Sequence, residues 1–245
     1  MDSIKILGVR INNVSMDEAE QKVWEFFESD ANHSVFTPNP EFVYRAYHDA
    51  DFREKLNSAD LIIPDGIGLI YAAKILGTPL KQRVPGFELC CRIIEKAPQK
   101  GAKLFILGGK PGIAELAKKN IERDHEGINV VGVNDGYFKD DEEVIAKINS
   151  LKPDFLLVCT GCPKQENWIC KYKDRLDVKV AIGAGGTVDV LSETVKRAPK
   201  FFCKFGLEWF YRLITQPTRI GRMMNLPKFL FIVIAKKLRG GGADA

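Results

Sequence analysis

The chain has 245 residues, 45% hydrophobic and 28% charged, with a formal net charge of +4. This is ordinary for a soluble globular enzyme with one main domain and an appendage, and a chain of this length has core enough without disulfides. The longest apolar run, 229–235, falls well short of the roughly 20 residues of a spanning helix, and the first five residues carry no secretion signal, so a cytoplasmic protein is expected.

Taken in chain order, short runs rich in Ile, Val, Leu and Phe alternate with stretches of helical period, the pattern of parallel β-α units. Strands are predicted at 4–8, 34–37, 61–64, 103–108, 129–133, 154–160 and 178–183. Ser15-Met-Asp-Glu18 reads as a capping box opening a helix, 41–59 reads as helical, and Pro111-Gly112 precedes a helix reaching about residue 124. Strands this continuously apolar are buried on both faces. The predicted fold is therefore α/β, an open, mostly parallel, Rossmann-like sheet flanked by helices, with ligand loops beyond the strands' carboxyl ends. The expected domains are an α/β catalytic body, 1–195, and a basic, aromatic-rich helical appendage, 196–245.

Charge is unevenly spread. Between 196 and 239 there are eleven Lys or Arg and one acid, Glu208, so this segment carries +10 and the remainder −6. Such a basic end addresses phosphate-rich partners, either nucleic acid or anionic lipid. The six cysteines are expected to be free thiols. Cys159-Thr-Gly-Cys162 has C-x-x-C spacing but lacks both the second pair of a zinc ribbon and a thioredoxin-like setting. Asp49-Ala-Asp51 has the spacing of a metal-holding D-x-D motif, yet on a helix residues two apart point roughly 200° away from each other and cannot share one ion.

The loops beyond the predicted strands collect glycine and polar residues. Thr37-Pro-Asn39, Pro64-Asp-Gly66, Gly136-Tyr-Phe138, Gly161-Cys-Pro-Lys-Gln-Glu166, Lys196-Arg-Ala-Pro199 and Gly206-Leu-Glu-Trp-Phe-Tyr-Arg212 occur in that order. Together they resemble the WecG/TagA/CpsF glycosyltransferases, and the resemblance spans nearly the whole chain. It implies inverting, metal-independent transfer of N-acetylmannosamine from its UDP donor to N-acetylglucosamine on undecaprenyl diphosphate, with no cofactor. The product links to wall teichoic acid or a related surface polymer. Other donors within the same family, N-acetylmannosaminuronic acid or glucose, stay open.

An inverting transferase needs one carboxylate to take the acceptor's proton, and Asp65, followed by Gly66, is the expected base; a helix cap is the competing role. Thr37 and Asn39 are expected to hydrogen-bond sugar groups, with an Asx turn as the alternative for Asn39. Gln165 resembles the family's active-site glutamine, against an exposed position in a first helical turn. Without a metal, the leaving UDP needs cations and backbone donors, supplied by Arg83 and by Gly108 and Gly109 before a helix start; a solvated arginine and a plain glycine turn are the alternatives. Tyr137 and Asp189 sit on the nucleotide side, where core packing and a helix cap compete.

Arg212, Arg219 and Arg222 match arginines of the family's appendage, which closes over the active site and contacts the acceptor's diphosphate. With interleaved Phe and Trp, the appendage is expected to dock the protein peripherally on the inner face of the cytoplasmic membrane. It also offers a surface for a homo-oligomer. Two rival classes are less well served. A dinucleotide-dependent oxidoreductase would need a G-x-G-x-x-G fingerprint that Gly108-Gly-Lys-Pro-Gly112 does not supply, and a nucleic-acid module would not need glycine and carboxylate loops at six strand ends.

Overall fold

In a computed structural model of the protein, the described residues are 1–204, 206–215, 221 and 224–239, with the side chains of Lys200, Lys204 and Arg212 left aside. The chain opens with β1 (Ser3–Ile6) and β2 (Val9–Asn12), an antiparallel hairpin separate from the main sheet. A strand feeding the parallel sheet was expected at 4–8. Instead Leu7 and Gly8 both take positive φ, 51° and 83°, the geometry of a tight two-residue turn that folds the chain back on itself.

The capping box forms as predicted. Ser15 Oγ accepts from the Glu18 backbone N–H at 3.1 Å while Glu18 Oε2 accepts from the Ser15 N–H at 2.7 Å, opening α1 (Met16–Phe27). The sheet then begins with β3 (His33–Phe36), followed by α2 (Pro40–His48), α3 (Ala50–Asn57) and β4 (Leu61–Ile62). The helix expected over 41–59 is thus two helices. Asp49 breaks it with extended backbone, and its Oδ1 caps α3 by accepting from Phe52 N–H at 3.0 Å. Asp51 pairs with Lys55, so both carboxylates of the D-x-D sequence have structural partners.

Next come α4 (Ile67–Leu76), α5 (Gly86–Lys100), β5 (Lys103–Gly108), α6 (Ile113–Asp124), β6 (Asn129–Asn134) and α7 (Asp141–Leu151). Then β7 (Phe155–Cys159), α8 (Lys164–Tyr172), β8 (Val180–Gly183) and α9 (Thr187–Leu191) complete the sheet and its cover. The described tail holds α10 (Lys200–Lys204), α11 (Glu208–Thr215) and α12 (Asn225–Leu238).

The six strands pair parallel throughout in the order β4-β3-β8-β7-β5-β6. Alternation of side chains along each strand divides the core in two. On β5 and β7, Leu104, Ile106, Phe155 and Leu157 face α1, α5 and α6, whereas Phe105, Leu107, Leu156 and Val158 face the side of α2, α3, α4, α7 and α8. This explains why these strands read as unbroken apolar runs.

At the end of β5 the chains run unusually close: a Cβ on Gly108, which has φ of 138°, would lie 2.4 Å from the Cys159 carbonyl carbon. The tail helix α12 packs on α2 and α4, with Phe229 and Val233 fully buried in the same core. Among the described residues, no helix is long and apolar enough to cross a membrane.

Candidate functional site

The loops beyond β3, β4, β7 and β8, with residues from 197–209 and Leu226, enclose a cavity of about 460 Å³. It lies where a parallel sheet presents its carboxyl ends. Its wall includes Thr37, Asn39, Asp65, Arg83, Gln165 and Asp189, six residues that the sequence had singled out. A second, shallower hollow of about 390 Å³ sits by the amino-terminal hairpin, crossed by the exposed Lys81–Glu18 pair, and shares no wall residue with the first.

Asp65 follows β4 and is half-buried at the cavity wall. Its backbone N–H donates to the carbonyls of Pro38 (3.1 Å) and Ile63 (3.0 Å), which ties the β3 and β4 loops together. The N-cap position of α4 is taken by Gly66, with φ of 97°, a residue with no side chain to cap with. Asn39 does act as a cap, its Oδ1 accepting from Glu41 N–H (2.9 Å) and Phe42 N–H (3.3 Å). Its carbonyl end therefore serves the helix. Thr37, 7% exposed, donates its hydroxyl proton to the Gly183 carbonyl at 2.9 Å, leaving oxygen lone pairs as its remaining capacity.

Gln165 is fully buried, not exposed in a first helical turn. On α8 the residues 165, 168, 169 and 172 share one face, and all four are buried against the core. That face is anchored from outside by Asp141, which accepts from Trp168 Nε1 (2.9 Å) and the Tyr172 hydroxyl (2.7 Å). Gln165 Oε1 accepts from the Gly185 N–H at 3.0 Å, and its Nε2 donates to Glu166 Oε1 at 2.6 Å. Glu166 is likewise fully buried, and burial pushes its carboxyl up to about 7. The side chains of Gln165 and Cys162 oppose that shift by hydrogen bonding to it. Glu166 was read only as part of a sequence mark. No local signal in the sequence marks it, because its burial comes from the packing of α8 against the end of β8.

Among the described residues, two arginines line the cavity. Arg83 is not a solvated surface group: Nη2 donates to the Cys203 carbonyl at 2.9 Å and Nη1 lies 3.4 Å from Glu208. Arg197 pairs with Glu88 and lies 4.8 Å over the Phe87 ring. The described wall thus combines the acids Glu41, Asp65, Asp189 and Glu208 with two arginines already engaged by carboxylates. Any diphosphate using Arg83 would compete with Glu208 for it.

The remaining expectations are placed differently. Gly108 and Gly109 do not line the cavity; both have positive φ, and they serve close strand packing and the turn into the β5–α6 loop. Tyr137 is 65% exposed and off the cavity wall, so it is not core packing. Asp189 lines the cavity inside the first turn of α9, whose N-cap position is Gly186. Only the backbone of Arg212 is described, and Arg219 and Arg222 lie outside the described residues. All six cysteines are free, and burial raises Cys159 to about 12, which disfavours a reactive thiolate in the C-x-x-C sequence.

Residues 4–242 match the profile of the Glycosyl transferase WecG/TagA/CpsF family. The chain is 41% identical over 207 residues to the N-acetylglucosaminyldiphosphoundecaprenol N-acetyl-beta-D-mannosaminyltransferase of Bacillus spizizenii, covering 84% of this chain and 80% of that protein. The proteins of the same name from Staphylococcus aureus MRSA252 and Bacillus subtilis 168 are each 34% identical. They cover 96% of this chain and 93% of theirs, and 83% and 79%, respectively.

Proposed function

This chain belongs to the WecG/TagA/CpsF family of glycosyltransferases, and from that membership we propose that it transfers N-acetylmannosamine from UDP to N-acetylglucosaminyl diphosphoundecaprenol, with inversion and without a metal ion. The names of its relatives support this donor sugar and acceptor. The observation that carries the reading is Asp65, a half-buried carboxylate on the wall of the strand-end cavity, followed by Gly66 at the N-cap position of the next helix.

In the proposed reaction Asp65 takes the proton of the acceptor hydroxyl as that oxygen attacks the anomeric carbon opposite the departing UDP. Arg83 exchanges Glu208 for the diphosphate and offsets the negative charge that develops on the leaving group. Asp189 and the adjoining glycine loop face the nucleotide, and Thr37, Asn39 and Gln165 shape the sugar sites. Gly108, Gly109 and Tyr137 then have supporting roles, through loop geometry or at the rim. Arg212, Arg219 and Arg222 are assigned to the acceptor diphosphate on the family resemblance alone.

The segment 196–245 is proposed as the part that meets the anionic leaflet in which the lipid acceptor is anchored, and as the contact of any homo-oligomer. The surplus of cations in 196–239 and the exposed Phe231 and Leu238 of α12 support this placement.

The decisive experiment offers the purified protein a panel of UDP sugars with a lipid-diphosphate N-acetylglucosamine acceptor in EDTA. Transfer from UDP-N-acetylmannosamine is expected; transfer only from another sugar, or only after metal is added, would overturn the donor or the metal assignment. Asp65→Asn should lower kcat about 100-fold or more while UDP still binds. A near-normal kcat would remove Asp65 from the role of base.

A further inference from the structure

Between β7 and β8 a chain of hydrogen bonds, buried at Glu166 and partly buried at Gly185, reaches the cavity from behind. Glu166 Oε1 accepts from Gln165 Nε2 at 2.6 Å, and Gln165 Oε1 accepts from Gly185 N–H at 3.0 Å. A carboxamide has a donor end and an acceptor end of nearly equal shape, so its orientation is set by its neighbours. Here the acceptor on one side is Glu166 and the donor on the other is the Gly185 amide. With Glu166 removed, nothing in this chain of contacts would distinguish the two orientations except Gly185 itself.

The packing shows that this arrangement is built in. Gly183 ends β8, and a Cβ there would lie 3.0 Å from Gln165 Nε2 and 3.3 Å from Glu166 Oε1, so the strand leaves room for the pair. The Gly183 carbonyl also receives the Thr37 hydroxyl, which fastens the same stretch to the β3 loop. Ala184, Gly185, Gly186, Thr187 and Asp189 all line the cavity. Glu166 does not line it.

We propose that Glu166 is a positioning residue: by fixing the orientation of the Gln165 carboxamide it holds the Gly185 amide, and with it the 184–187 loop, in the shape that receives the nucleotide half of the donor. This rests on the glycosyltransferase reading for the identity of the ligand. The hydrogen-bond chain itself does not depend on it.

The test compares Glu166→Leu, which keeps the volume and removes the acceptor, with Glu166→Gln, which keeps an acceptor oxygen. Two readouts are taken: hydrogen exchange of the amides in 183–190, and KM and kcat with UDP-N-acetylmannosamine and the lipid acceptor. In Glu166→Leu, exchange in 183–190 should speed up at least tenfold and the donor KM should rise about tenfold. The acceptor KM should stay within twofold. Glu166→Gln should return exchange and donor KM to within threefold of the parent.

Unchanged exchange in Glu166→Leu overturns the proposal, as does equal impairment of the two variants or a rise in acceptor KM matching that in donor KM. If the parent enzyme transfers no sugar, the functional reading fails, and the exchange comparison still decides whether Glu166 sets the loop. If Glu166→Leu does not fold, Gln165→Met cuts the next link. The same faster exchange is then expected, and its absence overturns the proposal.

Discussion

A carboxyl group that ionises inside a protein loses hydration that only hydrogen bonds or a nearby cation can replace. Glu166 has the Gln165 amide and the Cys162 side chain for this purpose, while the Cys170 thiol is also near enough to feel its charge. Its pKa rises from 4.5 to about 7 on folding. Below pH 4.5 the group is protonated in both folded and unfolded chains. Between there and about 7 the unfolded chain releases the proton and the folded chain keeps it, so stability falls as pH rises and levels off above 7. From pH 5 to pH 8 the group should cost about 2–3 kcal/mol. Urea unfolding at the two pH values should show this loss in the parent and not in Glu166→Gln; an equal loss in both would place the effect elsewhere. The sequence made Asp65 legible as a cavity residue because a carboxylate and a glycine after a strand are a local signal. It left Glu166 unread because the apolar surroundings that shift it come from β8 and α8 together.

At the scale of elements, the parallel strands were legible because each is buried on both faces and therefore reads as a continuous apolar run. The hairpin of β1 and β2 was not, since a turn through Leu7 and Gly8 uses a leucine in a left-handed conformation that its sequence does not announce. The break at Asp49 was missed for a related reason: helical period continues across it, and only the cap bond to Phe52 shows that a new helix begins. The tail helix α12 carries a third lesson. It belongs to a basic segment, yet its Phe229 and Val233 complete the core beside α2 and α4. Phe229→Ala should therefore destabilise the protein by about 3–5 kcal/mol, as expected for a fully buried aromatic. Chemical denaturation measures this, and a loss below about 1 kcal/mol would mean that α12 contributes little to the folded unit.

Across the whole molecule, charge and apolar exposure coincide. Opposite its buried stripe, α12 presents Phe231 (73% exposed) and Leu238 (82% exposed). The +10 segment to which it belongs gives the proposed membrane contact two components of different physical character. Each cation near an anionic leaflet adds about 1 kcal/mol, a contribution that salt screens, whereas apolar insertion is much less sensitive to salt. Cosedimentation with phosphatidylglycerol vesicles should therefore fall at least tenfold between 0.05 and 0.5 M salt. Phe231→Ser should weaken it further at either salt level. Binding to neutral vesicles of equal strength would remove charge from the account.

The tie between Thr37 and Gly183 is buried and that between Gln165 and Gly185 partly so, which leaves solvent few substitutes for them. A nucleotide sugar would arrive at a mould already cast on that side, the entropy of ordering it having been lost when the chain folded. Calorimetry of UDP binding should accordingly report the surface that is covered, with little added signature of a loop becoming ordered.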